Sequence, residues 1–343
     1  MEVEEFGAAA MLEALLATLN SALVSPLDVC CAAVVQAERR MKLMMNGNGR
    51  MERGYQLLVT CVLVTWFLSR SRHISKYTGR WSSSNISIMS RIMLLEIPID
   101  AVTRTGAVER LQTMLVSSKP HHVMTPNSEM LVAAQKDEHF RRVLQRSDLN
   151  LPDSQGIVWM AAYTGHVVPE RVTGIDTVIA FCATLTEADS IFLLGAAPGV
   201  ASIAAVALAN RNPHLKIAGT FSGSPSENDA AAIVEQINAA HPHILFVAYG
   251  APAQDIWIAK HLKNMPSVRI AMGVGGTFDF LAGTQKRAPK IMQRFGFEWL
   301  WRLVREPSRL PRILNAVLVF PWLVIRSPLA KPRPQSHSRA KGR

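Results

Sequence analysis

Cysteine is scarce in this chain, and the four present (Cys30, Cys31, Cys61 and Cys182) form no CxxC pair and have no histidine set nearby. Such spacing supports neither a zinc site nor a disulfide framework, and it fits a reducing cytosol. The phosphate loop GxxxxGK[ST], the HExxH helix and any D-x-D pair are also missing. A G-x-G does occur at Gly273–Gly275, but Phe278 stands where the dinucleotide fingerprint needs its third glycine. ATPase, dehydrogenase and zinc-hydrolase readings weaken accordingly. Without the usual carboxylate pair for a divalent cation, the expected chemistry is metal-independent, with no cofactor. Charged residues make up only 18% of the 343 positions against 49% hydrophobic, which excludes a disordered chain and allows one substantial core or two smaller ones.

Negative charge is absent after Glu306, where eight Lys and Arg residues follow. The chain as a whole carries +11, and its pI is near 9.9, so polyanionic partners are favoured. No basic recognition helix and no aromatic-interleaved strand accompanies this charge, so nucleic acid is not the expected partner. Positive charge beside apolar residues suits an anionic membrane surface better. The stretch Ile313–Ile325 (ILNAVLVFPWLVI) has 13 residues interrupted by Pro321. It is too short to span a bilayer, yet long enough to sink an apolar face into the interface, with Trp322 suited to headgroup depth. A second uncharged stretch, Gly54–Ser69, has 16 residues, short of the roughly 20 a spanning helix needs. It reads as a short signal anchor, an interfacial helix, or a segment with no membrane role.

The chain divides by composition into three parts. Residues 1–90 form an N-terminal extension without a chemical motif, expected to be dispensable for the chemistry, with Met89 and Met93 as alternative start points. Residues 91–306 alternate short apolar runs with helical patterns, and residues 307–343 form a basic amphipathic appendage. The spacing predicts strands at 121–124, 190–195, 215–220, 243–250 and 268–274. Helices are predicted at 128–146, 155–164, 176–188, 198–211, 226–240, 253–264 and 288–305. Strands alternating with helices of this length imply βαβ units: an α/β, Rossmann-like, mostly parallel sheet with helices on both faces, followed by a helical C-terminal appendage that docks on a membrane.

In such folds ligands bind at the carboxyl ends of the strands. Those ends lead into Thr125-Pro126-Asn127, Gly195-Ala196-Ala197-Pro198-Gly199, Gly250-Ala251-Pro252-Ala253-Gln254-Asp255 and Gly273 to Asp279. Each pairs small residues with a polar side chain just before a helix, so that a phosphate or sugar can approach backbone N–H groups. Asp153, after Pro152 and before a helix, is the carboxylate that stands out, as a catalytic group or as an N-cap. Arg171 can meet a phosphate or pair with Asp176. Asp279 can bond a sugar or cap its own turn, and Lys286 and Arg287 either face phosphate or begin a solvated helix.

Seven blocks, TPNSEMLVAA, LPDSQGIVW, PERVTGID, FLLGAAPGVA, YGAPAQDIWI, GVGGTFDFLAGTQKRAP and GFEWLWRLVREPSR, occur in this order between Ile92 and Arg312. In sequence and order they closely resemble the WecG/TagA/CpsF family of bacterial glycosyltransferases. The resemblance implies transfer of an N-acetylmannosamine-type sugar from a UDP-sugar donor to a polyprenyl-pyrophosphate-linked acceptor. The setting it implies is the cytoplasmic face of the membrane, in surface-polysaccharide or cell-wall polymer synthesis, by an inverting, metal-independent mechanism. By matched position, Thr125 and Asn127 are active-site residues and Asp153 is the base. Arg171, Asp176, Gly195, Gly250, Gln254, Gly275, Gly276 and Asp279 would help place donor and diphosphate. Arg302, Arg305, Arg309 and Arg312 would meet the lipid diphosphate and the membrane, on one helical face or on two short helices bent at Pro307 and Pro311. A homo-oligomer is left open. Three departures stand out: Pro152-Asp153-Ser154 replaces Pro-Asp-Gly, Pro252-Ala253-Gln254-Asp255 replaces Pro-Lys-Gln-Glu, and Gly223-Ser224-Pro225 replaces Gly-Tyr-Phe. The first keeps the base, and the other two bear on donor preference.

Overall fold

A computed structural model describes residues 90–289, 292 and 298–327. The extension 1–89, with the apolar stretch Gly54–Ser69, and the basic tail from 328 onward lie outside the described residues. The chain enters through a hairpin that the sequence did not announce, β1 (Ser90–Leu94) paired antiparallel with β2 (Ile97–Ala101). Its two-residue turn, Leu95-Glu96, has φ of 50° and 64°. That conformation normally calls for Asn-Gly or a similar pair, which is why the pattern gave no hairpin signal. Bonds from other elements hold it: Gln135 donates to the Leu95 carbonyl at 3.1 Å and Gln145 to the Glu96 carbonyl at 3.0 Å.

The main sheet follows with β3 (His121–Met124), β4 (Leu149–Asn150), β5 (Ser190–Gly195), β6 (Lys216–Phe221), β7 (Ile244–Ala248) and β8 (Ile270–Gly273). Its order is β4-β3-β8-β7-β5-β6, and every pair is parallel. Strands β5, β7 and β8 are buried at every position, as expected for a sheet covered on both faces. Alternation within one strand divides the core. Ile244 and Phe246 face one cluster with Leu111, Phe181 and Phe278, whereas Leu245 and Val247 face another with Ile233 and Trp257. The expected α/β architecture is therefore present.

The covering helices are α1 (Arg104–Leu115), α2 (Ser128–Ala134), α3 (Glu138–Arg146), α4 (Gln155–Tyr163), α5 (Gly174–Cys182), α6 (Val200–Ala209), α7 (Glu227–Ala240), α8 (Ala253–His261), α9 (Thr277–Leu281) and α10 (Glu298–Arg305). The single helix expected at 128–146 is broken, because Asp137 turns out of it and accepts a bond from Phe140 N at 3.0 Å as the N-cap of α3. Helix α1 was not read from the sequence.

After α10 the backbone leaves helical geometry at Glu306 (φ −135°, ψ 76°). A helix then runs from Pro307 to Arg326, including α11 (Leu310–Leu314), a π-type turn at Asn315–Val319 and α12 (Phe320–Arg326). Pro311 does not bend it away, since a proline in the first turn of an α-helix loses no hydrogen bond. The wide turn lies just ahead of Pro321, whose ring removes an N–H. At 20 residues and mean hydropathy 1.3 this helix is long and apolar enough to cross a membrane, by length and composition alone. Its Ile313, Val317, Phe320 and Val324 are nevertheless buried, and Phe320 and Val324 share a core cluster with the hairpin, α2, α3 and α4.

One buried carboxylate ties the hairpin to the sheet. Asp100, 3% exposed, accepts Arg91 Nε at 3.1 Å, Arg91 Nη2 at 2.8 Å, Arg110 Nη1 at 3.2 Å and Asn150 N at 2.8 Å. Substituting Asp100→Asn keeps the shape but removes the charge these donors answer. Chemical denaturation should show a loss of about 2–3 kcal/mol, the scale of hydrogen bonds to a charged group.

Candidate active site

Three loops at the carboxyl edge of the sheet are stitched together by backbone bonds. After β3, the Pro126 carbonyl accepts Asp153 N at 2.9 Å, and the Pro152 carbonyl accepts Val172 N at 3.0 Å. Thr125, Asp153 and the start of α5 are thereby held side by side. A Cβ placed on Gly174 would lie 3.5 Å and 3.6 Å from Thr125 and 3.8 Å from Asp153 Oδ2. The Gly174 N–H donates to Asp153 Oδ2 at 3.4 Å, so the carboxylate faces the positive end of a nine-residue helix. Thr125 is buried and donates to the Gly273 carbonyl at 3.3 Å, which couples this group to β8.

Asp153 is not an N-cap. Ser154 caps α4, accepting from Ile157 N at 3.3 Å, and its hydroxyl meets that of Ser128 at 2.9 Å. The serine that replaces the family's glycine thus fastens the Asp153 loop to α2. Asn127 caps α2 through Oδ1, with Met130 N at 3.0 Å, so its amide nitrogen is what it can turn toward a ligand.

Gln254 joins a second group of the expected residues. It is buried, and its Oε1 accepts Gly250 N at 3.1 Å and Gly275 N at 3.0 Å, pinning the turns after β7 and β8 to each other. Gly250 and Gly275 have φ of 79° and 52°, conformations that glycine adopts without strain. Gly195 has another reason to be glycine, because a Cβ there would come within 2.7 Å of the Ala248 backbone. Gly276 precedes α9. Asp279, in its first turn, accepts the Thr284 hydroxyl at 3.2 Å, a local bond.

The charged residues pair differently from either sequence alternative. Arg171 meets Glu298 at 3.1 Å rather than Asp176. Arg287, half-buried, grips Asp176 with Nη1 at 2.7 Å and Nη2 at 2.9 Å, so it neither begins a solvated helix nor stands open to phosphate. Burial alone would raise the Asp176 pKa. Hydrogen bonds from Arg287 and Thr173, with the charges of Arg287 and Arg104, outweigh it and bring the carboxyl down to about 2. A depressed native pKa stabilises the fold above the unfolded value and loses that contribution as pH falls through the native value. The pair should therefore contribute on the order of 2 kcal/mol above about pH 4, fading toward pH 2. Parallel acid titrations of the wild type and Asp176→Asn should show a stability gap that closes across that window.

Arg309 pairs with Glu306, and Arg312 meets Glu129 of α2 at 2.8 Å, two residues beyond Asn127. Arg302 and Arg305 lie on α10, and their side chains fall outside the described residues. Sequence reasoning missed Thr173 and Glu298. Thr173 was legible as T-x-x-D, a capping-box spacing ahead of an apolar run. Glu298 offered no local signal, since its partner lies 127 positions away.

A parallel sheet covered by helices, with a carboxylate, a buried threonine and an N-capping asparagine on adjoining strand ends, has the layout in which α/β enzymes bind ligands at the carboxyl ends of their strands. Residues 92–334 match the glycosyl transferase WecG/TagA/CpsF family. Three relatives share the name N-acetylglucosaminyldiphosphoundecaprenol N-acetyl-beta-D-mannosaminyltransferase. The protein of Bacillus spizizenii (strain ATCC 23059 / NRRL B-14472 / W23) is 32% identical over 216 residues, covering 62% of this chain and 82% of the relative. That of Bacillus subtilis (strain 168) is 32% identical over 221 residues, 64% and 85% of the two chains. That of Staphylococcus aureus (strain MRSA252) is 25% identical over 242 residues, 69% and 93%. The chain belongs to the WecG/TagA/CpsF family and is a glycosyltransferase.

Proposed function

We propose that the protein transfers an N-acetylhexosamine of the N-acetylmannosamine type from a UDP donor to a sugar on a polyprenyl diphosphate, with inversion and without a metal. The observation that carries this reading is the convergence of Thr125, Asp153 and the start of α5 at the sheet edge. Asp153 takes the proton of an acceptor hydroxyl as that oxygen bonds the anomeric carbon. The bond from that carbon to the diphosphate oxygen breaks, and UDP leaves with its electron pair from the opposite face. One base suffices for such a displacement. The helix N-termini at these strand ends are suited to receive the negative charge on the leaving diphosphate, and Arg171 would join them by exchanging Glu298 for phosphate. The acceptor class follows the names of the relatives.

A lipid-linked acceptor calls for a protein at the membrane surface. The helix Pro307–Arg326 supports peripheral docking on such a surface: exposed Trp322 stacks under Arg326 at 4.8 Å, and Arg312 is exposed beside the site. A panel of UDP-sugars, each incubated with polyprenyl-diphosphate N-acetylglucosamine, tests the reading. Transfer from UDP-N-acetylmannosamine is expected, and failure of every UDP-sugar would overturn it.

A further inference from the structure

The base named above sits in a setting that the reaction scheme does not use. Its Oδ2 accepts the N–H of Gly174, the first residue of α5. Immediately before it, Thr173 caps the helix, accepting Asp176 N at 3.2 Å and donating its hydroxyl to Asp176 Oδ2 at 2.6 Å. Arg287 closes this turn from a segment 111 residues away, through two bonds to Asp176 and a longer one of 3.5 Å to the Thr173 hydroxyl. Asp176 is thus fully engaged, with Arg104 also at 3.9 Å. The charge on Arg287 is held in place by the Asp176 hydrogen bonds first, and then by the fields of Asp176, Glu298 and Asp153.

From this geometry we infer that Asp176 and Arg287 are positioning residues for the base: a lock on the first turn of α5 that orients Asp153 and keeps it ionised. The inference rests on the reading of Asp153 as general base. Two consequences of one contact set carry it. The fork on Asp176 fixes the turn whose Gly174 N–H meets the carboxylate, and electrostatic attraction is mutual, so a cation that feels Asp153 favours its charged form. The charged groups tied to this lock are Arg104 at the start of α1, 3.9 Å from Asp176, and Glu298 on α10, itself paired with Arg171, whose field reaches Arg287 together with that of Asp153. Removing Arg287 takes away the cation that favours the charged form of Asp153 and leaves Asp176 without its fork. Asp176 then belongs to the support of the site rather than to the set of groups that touch the donor.

The test uses the full chain with UDP-N-acetylmannosamine and a short-chain polyprenyl-diphosphate N-acetylglucosamine. For Arg287→Gln, kcat should fall about 10-fold or more, donor KM should stay within about threefold, and the acidic limb of kcat against pH should move up by about one unit. Arg287→Lys should restore the limb, because the charge returns, while kcat recovers only in part, because the fork does not. Should Arg287→Gln fail to fold, the double variant Asp176→Asn with Arg287→Gln removes both members of the fork without leaving Asp176 charged: kcat should fall by a similar factor with donor KM within about threefold, and the limb should rise less than in the single variant. A raised donor KM with kcat and the limb unchanged would make Arg287 a substrate ligand and overturn the lock; an unchanged profile in both variants would overturn it too. Asp153→Asn, measured alongside, separates the two claims. Near-normal turnover there removes the base itself, whereas lost turnover there with a normal Arg287→Gln profile removes the lock alone.

Discussion

Asp153→Asn should bind UDP-sugar as the wild type does, yet turn over at least about 10²-fold more slowly, the usual contribution of a general base. The substitution suits the site. An asparagine Oδ1 can still accept the Gly174 N–H, and the Asp153 backbone bond to Pro126 is untouched, so the three stitched loops keep their places. What disappears is the basic carboxylate that takes the proton. Equilibrium donor binding and single-turnover transfer, measured on the same preparation, split these effects, since binding reports the pocket and turnover reports the base. If donor binding is retained and turnover stays near the wild-type rate, Asp153 is not the base, and some other group at the sheet edge must accept the proton.

The elements read correctly from the sequence are those whose signals are local. HHVM and SIFLLG are short runs with apolar residues after a polar start, bounded by turn residues, and the structure gives them the same bounds. Each strand end named as a ligand edge does lead into a loop at one side of the sheet. Where non-local forces decide, the sequence was silent. Leu95 and Glu96 adopt positive φ because side chains 40 and 49 positions away bond their carbonyls, and β4 is a two-residue strand centred on Asn150, whose amide serves Pro98 and Leu144. The same division holds in the candidate site. Thr125, Asn127 and Asp153 were legible as candidates because their motifs match the family in order and follow neighbouring strands. The Arg287 fork could not be found that way: a Lys-Arg pair before a proline looks the same whether it faces solvent, phosphate or a carboxylate.

Phe320→Ala should be the most destabilising single change in the C-terminal helix, costing about 3–5 kcal/mol, as large-to-small changes at fully buried aromatic positions do. Phe320 is completely buried in the cluster formed by the hairpin, α2, α3 and α4, and its ring lies 3.7 Å from the position a Cβ on Gly156 would occupy. Gly156 is in the first turn of α4, directly after the Asp153 loop. A cavity there loosens the support of that loop as well as the helix, so transfer should fall with the melting temperature. Trp322, two positions on, is 41% exposed and stacks on Arg326 instead of the core. Trp322→Ala should therefore leave thermal stability within about 0.5 kcal/mol, the usual range for surface substitutions. It should nonetheless weaken binding to vesicles containing anionic lipid, because an indole at headgroup depth is lost. One helix would then serve two surfaces, an inward face that completes the core behind the active-site loop and an outward face that meets the membrane. Thermal melts and vesicle co-sedimentation on the two variants separate these faces. Equal loss of vesicle binding in both, with equal loss of stability, would mean that the outward face has no role of its own.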